Sequence, residues 1–315
     1  MLNRRQLRVK VLQALYAYQQ ADKKEVKHFE KALLKDIDSV NEMYFYVLSL
    51  LVRVAEYSLI DAEDRANKFI PSKEDLNAPT KLNDNLFIES IRKNTQYQAG
   101  IKQFKVSWDF EPIIDKTIFS ILKSVPEYSE YIQLKEHTLH TDKEIIKNIF
   151  RKIILKTPAI EQIFEEKFIN WPVDKEVLKA MMAKTFKNFS HDEPSENQLA
   201  ELLQNEKEDL DFAIQLLRKS IAEQEESLKL IDKKTKNWDS QRIALMDILL
   251  MQMAIAELVH FSSIPVKVSI NEYIEISKDY STPKSNTFIN GILDKILDEL
   301  KAEKKIQKFG RGLIQ

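Results

Sequence analysis

Apolar residues recur every three or four positions along most of this chain, which is the spacing of amphipathic α-helices. Near the start, Val9, Leu12, Leu15 and Tyr16 form such a stripe. Glycine is scarce, with four residues in 315, and Leu, Ile, Lys and Glu are abundant. Because glycine breaks helices and these four residues favour or tolerate them, composition and spacing agree. The sequence therefore predicts an all-α protein.

Two long stretches follow the first helix. The pattern predicts one helix over 26–36 and a longer one over 42–69. The second contains the run MYFYVLSLLVRVAEYSL, which is too widely apolar for a single stripe and is expected to be buried on several sides. Proline and turn-forming residues at 70–85 and 190–197 mark two connectors.

Composition excludes several classes of protein. Hydrophobic residues make up 43% of the chain and charged residues 31%, which is a soluble, globular balance. We expect no membrane-spanning segment, because no uninterrupted apolar run reaches the required length of about 18 residues. Cysteine is absent, so disulfides, thiolate nucleophiles and cysteine-bound metals are excluded. These features favour a cytoplasmic protein.

Net charge is −1, so any nucleic-acid binding requires a local basic patch. One such patch is the N-terminal segment 1–21, where Arg4, Arg5, Arg8 and Lys10 occur without a single acid. The last fifteen residues form another, with five basic residues and one acid.

The most distinctive stretch is IPVKVSINEYIEISKDYSTPKSNTFINGILDKI, from Ile264 to Ile296. It predicts two amphipathic helices joined by a short turn. Asn290 and Gly291 stand inside the second helix, although glycine there costs about 1 kcal/mol relative to alanine. Either another helix packs closely at Gly291, or a partner such as a nucleotide approaches there. The first interpretation makes the glycine structural.

Both ends of the chain resemble the NusB family of transcription antitermination factors. The N-terminal RRQLRVKVLQALYAYQ is similar to the arginine-rich first helix of that family. The C-terminal segments FAIQLLRKSI, NWDSQRIALMDILLMQMAIAEL, IPVKVSINE and FINGILDKI follow its closing helices in order. The resemblance implies two packed helical bundles formed by residues 1–41 and 205–315. Residues 42–204 are then an inserted helical region. MYFYVLSLL and LDFAIQLL both fit the third helix of the family, and we prefer the second.

The resemblance also implies a function without catalysis or cofactors. NusB proteins bind a single-stranded RNA element, boxA, together with NusE, which is also a small-subunit ribosomal protein. The complex joins RNA polymerase in elongation and suppresses termination, notably in ribosomal RNA transcription. An alternative is a helical protein–protein adaptor that keeps the bundle but not RNA binding, since the inserted region could cover the RNA surface or recruit another partner.

The N-terminal arginines are the first candidate RNA contacts. Positive charge in the first turn of a helix opposes its dipole, so fold stability alone does not favour Arg4, Arg5 and Arg8 there. A solvated, frayed helix start is the alternative. With the resemblance, contact with RNA phosphates is the better hypothesis, because the planar arginine fork pairs with phosphate and stacks on bases.

The turn YSTPKSNTF is the second candidate. Thr282 is a suitable N-cap, and the free amides after it, with Lys284 and Ser285, form a potential anion site. The resemblance carries RNA contact onto Lys284, Ser285 and Phe288, and Asn290 is expected to shape the RNA edge. Alternatively, this is a well-capped helix whose Phe288 packs in the core. We expect the two candidate regions to form one cationic groove.

For the protein partner, Asp247 lies on a largely apolar helix where the family also carries an acid. It is expected to pair with a basic residue of NusE, unless it is simply solvated. Tyr16 of the first helix is the second residue predicted to contact the partner.

Other signals are weak. His137 and His140 could share a helix face, but a metal site needs more ligands, so no metal is expected. An internal echo with an offset of 67 residues relates Trp171 to Trp238 and Arg151 to Arg218. It indicates either a diverged repeat or chance agreement between two helix pairs.

Overall fold

A computed structural model describes residues 1–136, 138–189, 197–235 and 243–309. These residues contain helices and no strand, so the predicted all-α class is confirmed. A π-helical segment, Ile149–Ile154, follows the eighth α-helix. The α-helices are α1 (Arg4–Gln20), α2 (Val26–Ala66), α3 (Lys73–Leu76), α4 (Leu86–Lys93), α5 (Thr95–Gln103), α6 (Ile114–Leu122), α7 (Pro126–Gln133), α8 (Leu139–Asn148), α9 (Pro158–Lys167), α10 (Trp171–Asn188), α11 (Glu206–Ala222), α12 (Gln224–Lys234), α13 (Leu245–His260), α14 (Val266–Tyr280) and α15 (Ser285–Ala302).

The chain divides into two compact units. Unit 1 comprises Met1 and Asp38–Leu202, and unit 2 comprises Leu2–Ile37 and Leu203–Gln315. Unit 2 thus joins the two ends of the sequence in one compact body. That unit 1 is an insertion between two parts of a family domain remains a proposal.

Unit 2 is built around α13. Its sequence LMDILLMQMAIAELVH is apolar on nearly every side, and residues 249–258 are all buried. Because no face is polar, the helix must be covered all round. The helices α1, α11, α12, α14 and α15 pack against it. The N-terminal helix therefore lies in the same core as the C-terminal ones.

α1 presents its apolar face to this core. Leu7, Val11, Leu12 and Leu15 have no exposed surface. Its main neighbour is α11, which carries the segment LDFAIQLL. Tyr16 departs from the predicted stripe, because its side chain is 42% exposed.

α2 differs from the prediction of two helices. It is one continuous helix of 41 residues, and the expected break between 36 and 42 is absent. The segment contains no glycine or proline, and Ile37 and Val40 are buried, so packing continues through it. One 18-residue window of α2 has a mean hydropathy of 1.4, enough to cross a membrane by length and composition. Since 72% of that window is buried inside the protein, it is explained as a core helix.

Unit 1 has its own core of aromatic and aliphatic side chains. Gly100 of α5 is required there, because a Cβ at that position would lie 2.1 Å from the ring of Phe45. The phenylalanine ring occupies the space that a larger residue would need.

Two predictions fall partly on residues outside the described ranges. Trp238 and His137 are among them, so the internal echo and the histidine pair stay predictions. Arg151 lies in the π-helical segment and Arg218 lies in α11. Among the described residues, no group of three His, Asp or Glu side chains is arranged to hold a metal ion.

Candidate nucleic-acid interface

α1 begins at Arg4 because Asn3 caps it. The Asn3 side chain accepts a hydrogen bond from the Gln6 backbone N–H, and the Gln6 side chain accepts one from the Asn3 N–H. This capping box fixes the first turn and satisfies two of its free backbone donors. The first turn contains no acid of its own to balance Arg4 and Arg5. Their balancing charges come from other helices.

Arg8 is buried, with 2% of its side chain exposed. Its Nε and Nη2 donate to the two carboxylate oxygens of Glu257 at 2.8 and 2.6 Å. Glu257 is fully buried and also accepts hydrogen bonds from Ser269 and Tyr273. Burial disfavours the charge of Arg8, but the hydrogen bonds to Glu257 outweigh it and raise the pKa of the guanidinium.

The burial of Arg8 and its pairing with Glu257 argue against the predicted contact with RNA. Its guanidinium is the cationic half of a core ion pair that joins α1 to α13. A phosphate would have to enter the core and displace Glu257 to reach it. Leaving either charge buried and unpaired is strongly unfavourable.

Arg5 lies at the surface, with 46% of its side chain exposed. Its Nε and Nη2 donate to the carboxylate of Glu272 on α14 at 2.8 and 2.9 Å. This hydrogen bonding raises the pKa of Arg5 and lowers the pKa of Glu272. Since the pair is partly solvated, it contributes about 1 kcal/mol or less to stability.

Arg4 is also paired, but with acids of α11 and not of α14. It contacts Glu208 at 2.7 Å and Asp209 at 3.0 Å, both in the first turn of α11. Its guanidinium lies 4.4 Å from the ring centroid of Phe212, a cation–π distance. A third of the Arg4 side chain remains exposed.

These side chains border a groove of about 820 Å³ in unit 2. Three arginines and three acids line it, so the groove is formally neutral rather than cationic. The charged lining residues are Arg4, Arg5, Arg8, Glu208, Asp211 and Glu272. Phe212, Phe261, Ile264 and Val268 add an apolar surface.

The second candidate region, the turn before α15, is held by hydrogen bonds to a buried carboxylate. Asp247 is 5% exposed and Ser285 is 2% exposed. The Oδ2 of Asp247 accepts a hydrogen bond from Ser285 at 2.9 Å, and its Oδ1 accepts one from Ser281. The carboxylate thus lies at the N-terminus of α15, where a helix dipole favours an anion.

Three expectations are corrected by this arrangement. Asp247 is neither solvated nor available to a basic partner, because it anchors the turn. Ser285 is too buried to contact RNA. Thr282 does not cap the helix, since α15 begins at Ser285 and the Ser285 hydroxyl itself accepts from the Thr282 N–H.

Lys284 and Asn290 are exposed, and Phe288 is half-buried. None of the described residues that line the groove belongs to this segment. Ser281 follows Glu272, the partner of Arg5, by nine positions, or about 14 Å along the axis of α14. Glu275 and Asp279 stand on that stretch. The two candidate regions therefore do not form one cationic groove.

Sequence reasoning missed the acids that hold the arginines. Glu257 is an acid inside the apolar run of α13, which is a signal of a buried ion pair. Glu272 stands in the IPVKVSINE segment and contacts Arg5 of α1. Its partner could not be identified, because 267 residues separate Arg5 from Glu272.

Comparison with known proteins places these helices in a family. The model of the NusB family matches residues 175–298, which include most of α10, all of α11 through α14 and most of α15. The match therefore begins within unit 1. The match leaves out residues 1–37, although unit 2 contains α1 together with the matched helices. The chain is longer than the relatives it matches.

Three curated relatives are each described as transcription antitermination protein NusB. The protein from Salinibacter ruber is 47% identical over 104 residues, which cover 33% of this chain and 65% of the relative. The Chloroherpeton thalassium protein is 43% identical over 104 residues, which cover 33% and 49%. The chain thus spans less than two thirds of the length of these two relatives.

The protein from Natranaerobius thermophilus is matched over most of its length. It is 34% identical over 117 residues, which cover 36% of this chain and 84% of that protein. No solved structure matches. From this coverage, together with the family match, we conclude that the chain belongs to the NusB family.

Proposed function

We propose that this protein is a transcription antitermination factor that binds boxA-like single-stranded RNA together with NusE. The complex would act within the transcription elongation complex, especially on ribosomal RNA, in the cytoplasm. The protein acts by binding and not by catalysis. Family membership is the observation that carries this proposal.

We infer that RNA enters at the groove beside α1, and the geometry supports this inference. Arg4 and Arg5 border the groove with partly exposed guanidiniums, and the groove has apolar surface beside them. Arginine pairs with phosphate through the same fork that it uses for a carboxylate. RNA therefore binds when a phosphate replaces Glu272 at Arg5 or Glu208 at Arg4, while a base covers the neighbouring apolar surface.

Lys284, Phe288 and Asn290 form a second, separate contact in this proposal. A strand that leaves the arginines along α14 reaches the turn before α15, where Lys284 offers a further positive charge. Tyr16 remains a candidate contact for NusE, since it is exposed on α1.

The test is a fluorescence anisotropy titration with a labelled boxA-like RNA, with and without NusE. We expect NusE to lower the apparent Kd and Arg5→Ala to raise it by about tenfold, the loss of one charge-assisted pair. Lys229→Ala, an exposed change on α12, is the control for net charge. Binding that neither NusE nor Arg5→Ala alters contradicts the proposal.

The adaptor function is the second candidate, and the paired arginines favour it. Each arginine of the N-terminal segment already has a carboxylate partner in unit 2. An adaptor would bind NusE in a pull-down with purified proteins but show no RNA binding at any ratio of the two proteins. The same titration therefore separates the two functions.

A further inference from the structure

Unit 1 contains a groove whose charged lining is entirely basic. The groove has a volume of about 520 Å³ and is lined by the π-helical segment, the two residues after it and α10. Its described lining residues include no acid and four cations, which are Arg151, Lys152, Lys156 and Lys179. The groove of unit 2 beside α1, in contrast, is lined by equal numbers of arginines and acids. We call the groove with these four cations the basic groove.

Two acid-free stretches of the sequence meet at the basic groove. Residues 145–160 contain four basic residues and no acid, and residues 177–189 contain three basic residues and no acid. The whole chain has 48 basic and 49 acidic residues, so both stretches depart from its average. The dipole of a helix favours cations at its C-terminal end. That effect does not explain Lys179, which stands in the middle of α10.

The π-helical segment brings two of the cations to the same side. The Leu155 N–H donates to the Phe150 carbonyl at 3.1 Å, which is a bond between residues five apart. In such a turn residues five apart lie nearly above one another, whereas in an α-helix they point about 140° apart. Arg151 and Lys156 each follow one member of this pair by one position. All four residues line the groove.

Two of the cations have no carboxylate partner in the described part of unit 1. They are Arg151 and Lys156, and both are exposed. Glu144 of α8 stands seven positions before Arg151, but it pairs with Lys147. The charges of Arg151 and Lys156 are therefore available to a bound anion.

The other two cations are paired at the rim of the groove. Lys152 pairs with Glu127 of α7, and Lys179 pairs with Glu176 of α10. Each of these four side chains is at least 36% exposed. Exposed ion pairs are weak, so a phosphate can take the place of either carboxylate. With both acids counted, four cations stand against two acids, and the basic groove keeps a positive charge.

An acidic groove adjoins the basic groove across the pair of Lys152 and Glu127. It is lined by Glu127, Glu130 and Glu144. These acids repel a polyanion and attract a cation. A negatively charged strand is therefore confined to the side on which Arg151 and Lys156 stand.

The chemistry of the basic groove fits a nucleic-acid backbone better than an acidic peptide. Lysine and arginine only donate hydrogen bonds, and the other lining residues are the apolar Phe150, Leu155, Ala183 and Phe186. A peptide brings N–H groups that need acceptors, and the lining side chains offer none. A phosphodiester backbone brings acceptor oxygens and one negative charge for each nucleotide. Since Phe150 and Phe186 are buried, bases cannot stack on them, and the groove does not read sequence.

We propose that the basic groove of unit 1 binds the phosphate backbone of single-stranded RNA without sequence preference, with Arg151 and Lys156 as its main contacts. This is a second RNA site, separate from the arginines of unit 2. That the strand is RNA rests on the proposed function, which brings the protein to a transcript.

The test is an anisotropy titration of the full chain at several salt concentrations. Its probe is a labelled oligouridylate of about 12 nucleotides, which contains no boxA element. Arg151→Gln with Lys156→Gln should raise the apparent Kd by about tenfold and lower the slope of log K against log salt by about 1.4, the value for two phosphate contacts. Lys102→Gln with Lys116→Gln removes the same charge from exposed positions of α5 and α6, and should change both quantities less.

Two further measurements separate this inference from misfolding and from the proposed function. The midpoint of thermal unfolding should be the same in the Arg151 and Lys156 double variant as in the original chain, because both side chains are exposed. The gain in affinity for boxA-like RNA on addition of NusE should persist in that variant. If this gain is absent from the original chain while the groove variant still weakens oligouridylate binding, the proposed function fails and the basic groove stands.

Four results would overturn the inference. The first is an original chain that does not bind oligouridylate. The second is a control variant that weakens binding as much as the groove variant does. The third is a polyglutamate of the same length that competes as well as unlabelled oligouridylate, which would make the groove a site for an acidic protein. The fourth is a preference for oligothymidylate of the same length, which would make the strand DNA.

Discussion

Arg8 and Glu257 form a bidentate ion pair inside unit 2, although 249 residues separate them in the sequence. The pair joins the first helix of the chain to α13, the central helix of the C-terminal half. It explains why an arginine-rich N-terminal segment is part of a distant core. Arg8 positions this end of α1, whereas Arg4 and Arg5 remain at its surface.

Replacing one member of this pair should destabilise unit 2. Arg8→Ala leaves Glu257 buried and uncompensated, so we expect a loss of about 3–5 kcal/mol in the free energy of unfolding. Amide hydrogen exchange in α13 measures it. Arg5→Ala is the matched control, because its exposed pair should contribute about 1 kcal/mol or less. The double change Arg8→Met with Glu257→Leu should recover most of the loss; equal effects of Arg8→Ala and Arg5→Ala would refute this role.

Glu272 should compete with RNA for Arg5. Glu272→Gln removes the charge that holds the guanidinium, so the affinity for boxA-like RNA should rise by about three- to tenfold. Anisotropy titration measures it. Glu275→Gln on the same helix removes an equal charge without a hydrogen bond to Arg5, and should change affinity less. An equal rise in both variants would mean that general charge and not the Arg5 pair controls binding.

Glu299 should make stability sensitive to acid. Hydrogen bonds from Lys233 and Lys234 lower its pKa from 4.5 to about 2. Between these values the folded state holds fewer protons than the unfolded chain, so the free energy of unfolding falls as the pH decreases through that range. Urea unfolding at pH 6 and at pH 3 measures the free energy of unfolding of the original chain and of Glu299→Gln. The difference in stability should shrink at the lower pH; a difference that is constant with pH is inconsistent with the assignment.

Asp247→Ala should loosen the turn between α14 and α15. It removes the acceptor of two serine hydroxyls and the anion at the start of α15, so we expect a loss of about 1–3 kcal/mol. Faster amide exchange at 281–289 is the measurement. Asp298→Ala, on the exposed side of the same helix, is the control and should leave those amides unchanged. Protection that survives Asp247→Ala would show that the turn does not depend on this carboxylate.

Gly100→Ala should destabilise unit 1. The new Cβ would meet the Phe45 ring, so overpacking should cost about 1–3 kcal/mol. Amide exchange in α5 and α2 reports the loss. A change of Phe45 to leucine in the same chain should recover part of the stability by making room. If Gly100→Ala alone stabilises the helix instead, the close approach to Phe45 is not present in solution.

Periodicity predicts local structure well in this chain. The apolar spacing of the first helix indicates the buried Leu12 and Leu15, and the all-apolar run of α13 indicates a helix covered on every side. The same reasoning failed at 36–42, where a few polar residues suggested a break. There the helix continues, because Ile37 and Val40 keep it packed.

The roles of the charged residues could not be read in the same way. Whether Arg8 faces solvent depends on Glu257, and whether Asp247 is free depends on Ser281 and Ser285. These partners come from helices that meet only in the folded chain. Local spacing shows that a charge stands on an apolar helix, but not which group neutralises it. Gly291 shows the reverse case, since only the structure excludes a close neighbour there: no described atom lies within 4 Å of the position that a Cβ would occupy.

The most direct test of the proposed RNA site is the salt dependence of boxA-like RNA binding in the original chain, Arg5→Gln and Lys278→Gln. Each phosphate contact contributes about 0.7 to the slope of log K against log salt for a single strand. If Arg5 contacts a phosphate, Arg5→Gln weakens RNA binding and lowers the slope by about one phosphate contact. Lys278→Gln, on the exposed side of α14, should lower the affinity and the slope less. Equal slopes for the original chain and Arg5→Gln would contradict the account.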